Sequence, residues 1–167
     1  MSQLEGRRLD GGDVFPAMTL QLAAGGSLTL PPAADGRHVV LLAYRGHFCP
    51  LCKRQLAEYE ARRAELEAQG VTIVAASTDV EENALATVRE AGLHFPVAYG
   101  VDARAFAAAT GAFFHEKQNH LQATSFVIRP GGKLAVAVYS SGAFGRLTPQ
   151  DVLLLMPYLR PKQPVGG

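Results

Sequence analysis

The chain has 167 residues, 48% hydrophobic and 19% charged, with a formal net charge of +1. That size and apolar content suit one domain with a core of its own, and so even a charge balance gives no electrostatic reason to expect nucleic acid or an anionic membrane as partner. No apolar run approaches the roughly 18 residues of a membrane span, and the opening MSQLEGRRLDGGD lacks the apolar core of a signal peptide. The expected setting is the cytosol, where a C-x-x-C pair is more often catalytic or metal-binding than a structural staple.

In chain order, residues 1–13 are polar and Gly-rich and read as a flexible tail ahead of a single domain over 14–160. Met18–Leu30 holds two short apolar runs around Gly25-Gly26, the pattern of a β-hairpin. After a loop with Asp35-Gly36 as its turn, Val39–Tyr44 is apolar without alternation, which predicts a strand buried on both faces. Lys53–Gln69 has no Gly or Pro and predicts a helix stopped by Gly70. Cys52, Leu56, Tyr59 and Leu66 share its inner face, and Glu58 and Arg62 are spaced to pair outside. Val71–Ser77 is a second buried strand. Thr78 or Asp79 is the expected cap of a helix over Glu81–Ala91, ended by Gly92.

Phe95–Tyr99 reads as a short strand, and Asp102 as the cap of a helix over Ala103–Thr110. Residues 111–122 carry His115 and His120 and show no clear element. Thr124–Arg129 and Leu134–Ser140 flank Pro130-Gly131-Gly132-Lys133 as an antiparallel pair. Thr148 caps a last helix, Pro149–Leu159, with Pro at its first position. Residues 161–167 read as frayed. Parallel β-α units followed by β-β-α predict a three-layer α/β/α sandwich with a mixed central sheet and an N-terminal hairpin extension.

Cys49 and Cys52, the chain's two cysteines, fall where the buried strand gives way to a helix, at the carboxyl end at which such sheets build their sites. Cys49 takes the N-cap and Pro50 the first helical position, where its missing N–H costs nothing. The free amides of a first helical turn favour an anion, and Lys53 and Arg54 add positive charge, so Cys49 is expected to be a reactive thiolate. Cys52 follows one turn on, close enough to attack Cys49 once that is oxidised. His47 could stabilise the thiolate as imidazolium, accept a proton as imidazole, or be a solvated loop residue. Arg45 could hold a peroxide oxygen or pair with a carboxylate. Thr124 is a strand residue or a donor to the site. His115 and His120 could complete a zinc site with the cysteines, although alternating strands and helices separate the two halves; no metal is expected. His38, His94 and His120 read as surface or strand-edge histidines. Gly131-Gly132-Lys133 is a turn and not a phosphate loop, lacking an earlier Gly and a following Ser or Thr.

Tyr44-Arg45-Gly46-His47-Phe48-Cys49-Pro50-Leu51-Cys52 resembles the Y-R-G-x-W-C-P-x-C of the peroxiredoxin-like branch of the thioredoxin superfamily, the alkyl hydroperoxide reductase and thiol-specific antioxidant (AhpC/TSA) group. Val74–Asp79, Gly92–Pro96, Phe126–Gly132 and Ser141–Leu147 extend the likeness, which runs from about Phe15 to about Leu159. It implies a thioredoxin-like fold with Cys49 and Cys52 as the reacting pair; Pro50 belongs to the same motif, and Tyr44, Arg45, His47 and Thr124 are the polar groups this chain has to support the site. Two departures stand out. Where typical peroxiredoxins place Thr or Ser three residues before the reactive cysteine and Pro seven before, this chain has Gly46 and Leu42. Their strand Arg has no counterpart between Arg104 and Arg129, and the cis-Pro of thioredoxins proper is replaced near Ala123.

The activity so implied is reduction of hydrogen peroxide or an organic hydroperoxide by Cys49, resolution by Cys52 to an intramolecular disulfide, and re-reduction by a thioredoxin- or glutaredoxin-type donor, with no metal, flavin or nucleotide. The alternatives are a thiol-disulfide oxidoreductase acting on protein disulfides and a non-catalytic redox-sensing module. A homodimer is implied by the resemblance alone.

Overall fold

The computed structural model describes residues 7–31 and 35–160. Its main sheet has seven strands: β1 (Met18–Leu22), β2 (Ser27–Leu30), β3 (His38–Ala43), β4 (Val71–Ala76), β5 (Val97–Tyr99), β8 (Thr124–Ile128) and β9 (Leu134–Tyr139). They lie in the order β2-β1-β5-β4-β3-β8-β9. The β3–β4 and β4–β5 pairings are parallel, while β8, β9 and the β1–β2 hairpin run antiparallel to their neighbours.

The period-2 alternation of β3 sorts its side chains into two cores. Val40, Leu42 and Tyr44 pack with Leu56 and Tyr59 of helix α1 (Pro50–Ala61), Leu66 of α2 (Arg63–Ala68), Ala84 of α3 (Glu81–Ala91), and Val152 and Met156 of α5 (Pro149–Leu159). Val39, Leu41 and Ala43 face the other way, against Phe106 and Ala107 of α4 (Ala103–Thr110) and Phe15, Phe114 and Leu121. Helices on both faces of one mixed sheet make the expected three-layer, thioredoxin-like sandwich, with the hairpin extending the sheet beyond β5.

Several local expectations are corrected. The helix begins at Pro50 behind the Cys49 cap, as expected, but the single run expected through Gln69 breaks at Arg62, whose φ of −110° leaves the helical range. Its guanidinium bonds to Glu65 and to Gln150 at the start of α5, so the Glu58–Arg62 pair is replaced by Arg54–Glu58 and Arg62–Glu65. Helix α3 has Val80 at its N-cap and no side-chain cap, because the two residues proposed for that role are engaged elsewhere: Thr78 donates to the Asn119 carbonyl and Asp79 accepts from the His47 amide. The third parallel strand begins at Val97, two residues later than expected. The unassigned 111–122 stretch contains a small hairpin, β6 (Phe114–His115) and β7 (His120–Leu121), turned by Asn119 at φ 48°, a left-handed conformation Asn tolerates better than most residues.

Residues 1–6 and the tail expected at 161–167 lie outside the described residues, but residues 7–13 are held to the domain. Leu9 donates its amide to the Thr110 carbonyl, Gly12 to Leu134, and Arg7 pairs with Asp13. The Tyr139 hydroxyl accepts from the Leu9 amide and donates to the Thr110 carbonyl. Tyr139→Phe takes one partner from each group while leaving the two bonded to each other, and is expected to cost about 0.5–1.5 kcal/mol. The measurement is a urea midpoint alongside proteolysis of the N-terminal segment; an unchanged midpoint and cleavage rate would refute this tether.

Candidate active site

β3 delivers the chain to the site. Its last pairing, from the Tyr44 amide to the Ala76 carbonyl at 3.0 Å, releases residues 45–49 as a loop at the carboxyl end of the parallel strands. Gly46 turns that loop at φ 145°, and a Cβ there would sit 2.9 Å from both Asp79 Oδ1 and the Phe48 ring. A Thr or Ser side chain at position 46 would thus have no room in this chain. The His47 amide donates to Asp79 Oδ2 at 2.8 Å and the Cys49 amide to the Gly46 carbonyl at 3.1 Å, which fixes the loop. Cys49 then caps α1 from extended backbone, its sulfur accepting the Cys52 amide at 3.3 Å, with Pro50 in the first turn.

Both cysteines are unbridged, and their residues are 1% and 0% exposed. Two guanidinium groups meet them. Arg45 Nη1 stands 3.8 Å from Cys49 Sγ, and the Arg45 amide donates to Cys52 Sγ at 3.3 Å. Arg146 Nη2 lies 3.1 Å from Cys52 Sγ and 3.7 Å from Cys49 Sγ, so a single nitrogen addresses both sulfurs.

The electrostatics separate the two thiols. Burial pushes Cys49 up, but the Cys52 thiol and amide, the Arg45 guanidinium and the Arg146 charge together outweigh it and hold Cys49 below its ordinary 9.0. Cys52 moves the other way, to about 11, through burial and through its hydrogen bond to Cys49, against the opposing pull of Arg146. The two thiols are thus split: Cys49 gives up its proton more readily than an ordinary cysteine, and Cys52 keeps its proton.

The supporting residues divide. Arg45 lies at the sulfur, with Nε on Gln122 Oε1 at 3.0 Å and its charge 5.3 Å from the Phe48 ring centre; of its two readings, the carboxylate pairing is not made among the described residues. His47 is turned away: Nδ1 is 2.8 Å from Thr87 Oγ1 and Nε2 faces Glu90 at 3.7 Å, while the hydrogen bonds reaching Cys49 Sγ come from Cys52, Arg45 and Arg146. It is neither the neighbour of the thiolate nor a freely solvated residue. Thr124 is a buried strand residue whose hydroxyl donates to the Gln122 carbonyl at 3.1 Å, behind the residue that holds Arg45.

Tyr44 is fully buried, its hydroxyl without a partner in bonding geometry among the described residues although Ser77 and Thr87 lie near, and burial pushes its phenol up to about 12. His120 is buried rather than a surface histidine, stacked against His115 and Phe48. Its two nitrogens are taken by the Leu121 carbonyl and Gln118 Oε1, and among the described residues no group of three or more His, Cys, Asp or Glu side chains converges as metal ligands would. The zinc alternative is therefore not assembled.

Arg146, Gln55 and Gln122 are the site residues that the motif reading missed. Arg146 lies 97 positions from Cys49 in the chain, in a segment that reads as a loop. The available signal was a lone cation in the otherwise uncharged block Ser141–Leu147.

A thioredoxin-like sandwich whose central strand delivers a C-x-x-C pair to the mouth of a helix defines a thiol-based redox protein. The AhpC/TSA family model matches residues 11–137, well over half of the chain, and the chain belongs to that family: it is a thiol-dependent, peroxide-reducing enzyme. Similar solved structures include the peroxidoxin BcpB from Mycobacterium tuberculosis, 18% identical with a TM-score of 0.77 over 92% of this chain and 100% of that one. AhpC from Mycobacterium tuberculosis is 19% identical with a TM-score of 0.77 over 92% and 99%. A peroxiredoxin-like protein from Aquifex aeolicus is 17% identical with a TM-score of 0.78 over 93% and 90%. At such identity these likenesses speak for the fold. No curated protein matches the chain in sequence.

Proposed function

We propose that Cys49 is the peroxide-reducing thiolate and Cys52 the residue that resolves it. The Cys49 thiolate attacks the terminal oxygen of a hydroperoxide; the O–O bond breaks, the sulfur becomes a sulfenic acid, and the departing alkoxide or hydroxide takes a proton from solvent. Cys52 then attacks the sulfenic sulfur as its thiol gives up its proton. Its proton leaves with the hydroxyl as water, and a Cys49–Cys52 disulfide remains. A dithiol donor of thioredoxin or glutaredoxin type returns the pair to thiols by exchange.

The observation that carries this reading is the placement of two guanidinium groups at the Cys49 sulfur, with one of them touching Cys52 as well. Positive donors aimed at the sulfur stabilise the attacking thiolate and are within reach of the charge that develops on the peroxide oxygens. The near-complete burial of Cys49 favours a small two-oxygen substrate over a protein disulfide in the reduced enzyme. Cys52→Ser is expected to undergo one oxidation and stall as a sulfenic acid, trappable by dimedone and identified by mass spectrometry, with turnover restored only by added small thiol. Sustained turnover of Cys52→Ser with the dithiol donor alone, and no trapped adduct, would refute the resolving role.

A further inference from the structure

Gln55 belongs to α1, three residues after Cys52, and is 5% exposed. Its amide is used at both ends. Oε1 accepts from Arg146 Nη1 at 2.8 Å, and Nε2 donates to the Leu147 carbonyl at 3.1 Å. That carbonyl also accepts from the Tyr59 hydroxyl at 3.0 Å. Arg146 Nε donates to the Ala143 carbonyl at 2.8 Å, which leaves Nη2 for the two sulfurs. Every nitrogen of this guanidinium thus has an assigned direction. Planarity makes the set rigid: once Nε and Nη1 are held, Nη2 has one place to go.

We propose that Gln55 is a positioning residue for the peroxidase reaction, the clamp that aims the Arg146 guanidinium at Cys49 and Cys52 while leaving its charge uncancelled. This rests on the peroxidase reading above and adds to it a residue outside the reacting pair. The chemistry explains why an amide suits the position. A carboxylate would hold Nη1 more tightly, but it would offset the positive charge that favours the Cys49 thiolate and set an oxygen against the Leu147 carbonyl. An apolar side chain would fill the space and leave both Nη1 and that carbonyl with one partner fewer. The amide alone satisfies a donor on one side and an acceptor on the other without adding charge.

The test is the pH dependence of Cys49 alkylation by iodoacetamide in Cys52→Ser backgrounds, with Gln55→Met and Gln55→Glu, alone and combined with Arg146→Gln. Gln55→Glu is expected to raise the alkylation midpoint by about one pH unit, and Gln55→Met to raise it by less. The Gln55→Met shift should vanish when Arg146 is already Gln, because the clamp then has no charge to aim, whereas Gln55→Glu keeps the direct repulsion of its own carboxylate. Circular dichroism on the same samples confirms that each variant is folded, so a structural defect alone does not imitate the result. Midpoints unmoved by either substitution, or a Gln55→Met shift that persists in the Arg146→Gln background, overturn the proposal. The assay reads a thiolate, not turnover. A wild-type enzyme that alkylates normally yet reduces no peroxide would sink the peroxidase reading and leave the clamp standing.

Discussion

Replacing Cys49 by Ser is expected to lower peroxide consumption by at least roughly 10³-fold, measured with hydrogen peroxide and with an organic hydroperoxide in the presence of excess dithiothreitol. A serine hydroxyl keeps the N-cap position and can still accept the residue 52 amide, so the helix end survives while the nucleophile does not. Nothing else described at the site supplies a second reducing sulfur, because Cys52 is pushed to about 11 and is largely protonated near neutrality. A Cys49→Ser enzyme with full activity would show that the chemistry lies elsewhere in the chain.

Arg146→Gln carries the second large effect, and its pH dependence identifies the cause. In the native enzyme the Arg146 charge helps to hold Cys49 below 9.0. The oxidation rate should therefore rise with pH through the Cys49 pKa and flatten once the thiolate is fully formed. Without that charge the curve is expected to move to higher pH, with a loss of up to about 10-fold near neutral pH that narrows as the solution becomes more alkaline. Stopped-flow measurement of Cys49 oxidation across pH reads this directly. A loss of the same size at every pH would mean that Arg146 positions substrate without lowering the thiol pKa.

Much of this site was legible in the residues. A β-branched run followed by C-P-x-C and an Ala- and Glu-rich segment dictates a buried strand, a capped helix and a sulfur at its mouth, and that local logic holds because each step is decided within a few residues. Pro50 works in the same local way by fitting the first turn, whereas the need for Gly46 arises between elements, because Asp79 beyond β4 and the Phe48 ring leave no room for a side chain. Arg146 and Gln55 were harder to see because their roles arise between elements. Arg146 reaches the sulfurs only because the segment after β9 folds back over α1 and is held there by Gln55 and Tyr59. His47 shows the converse. Two positions from Cys49 in sequence, it is drawn to α3 by Thr87, so proximity along the chain did not become proximity at the sulfur. Thr78 and Asp79 likewise have the chemistry of helix caps but are engaged by Asn119 and His47.

The most direct test of the pairing of an activated Cys49 with a protonated Cys52 is thiolate absorbance near 240 nm followed against pH in the reduced wild type, with Cys49→Ser and Cys52→Ser as references. Two separated steps are expected, a first below 9.0 that disappears with Cys49 and a second close to 11 that disappears with Cys52. A first step at or above 9.0, or one that belongs to Cys52, would contradict it.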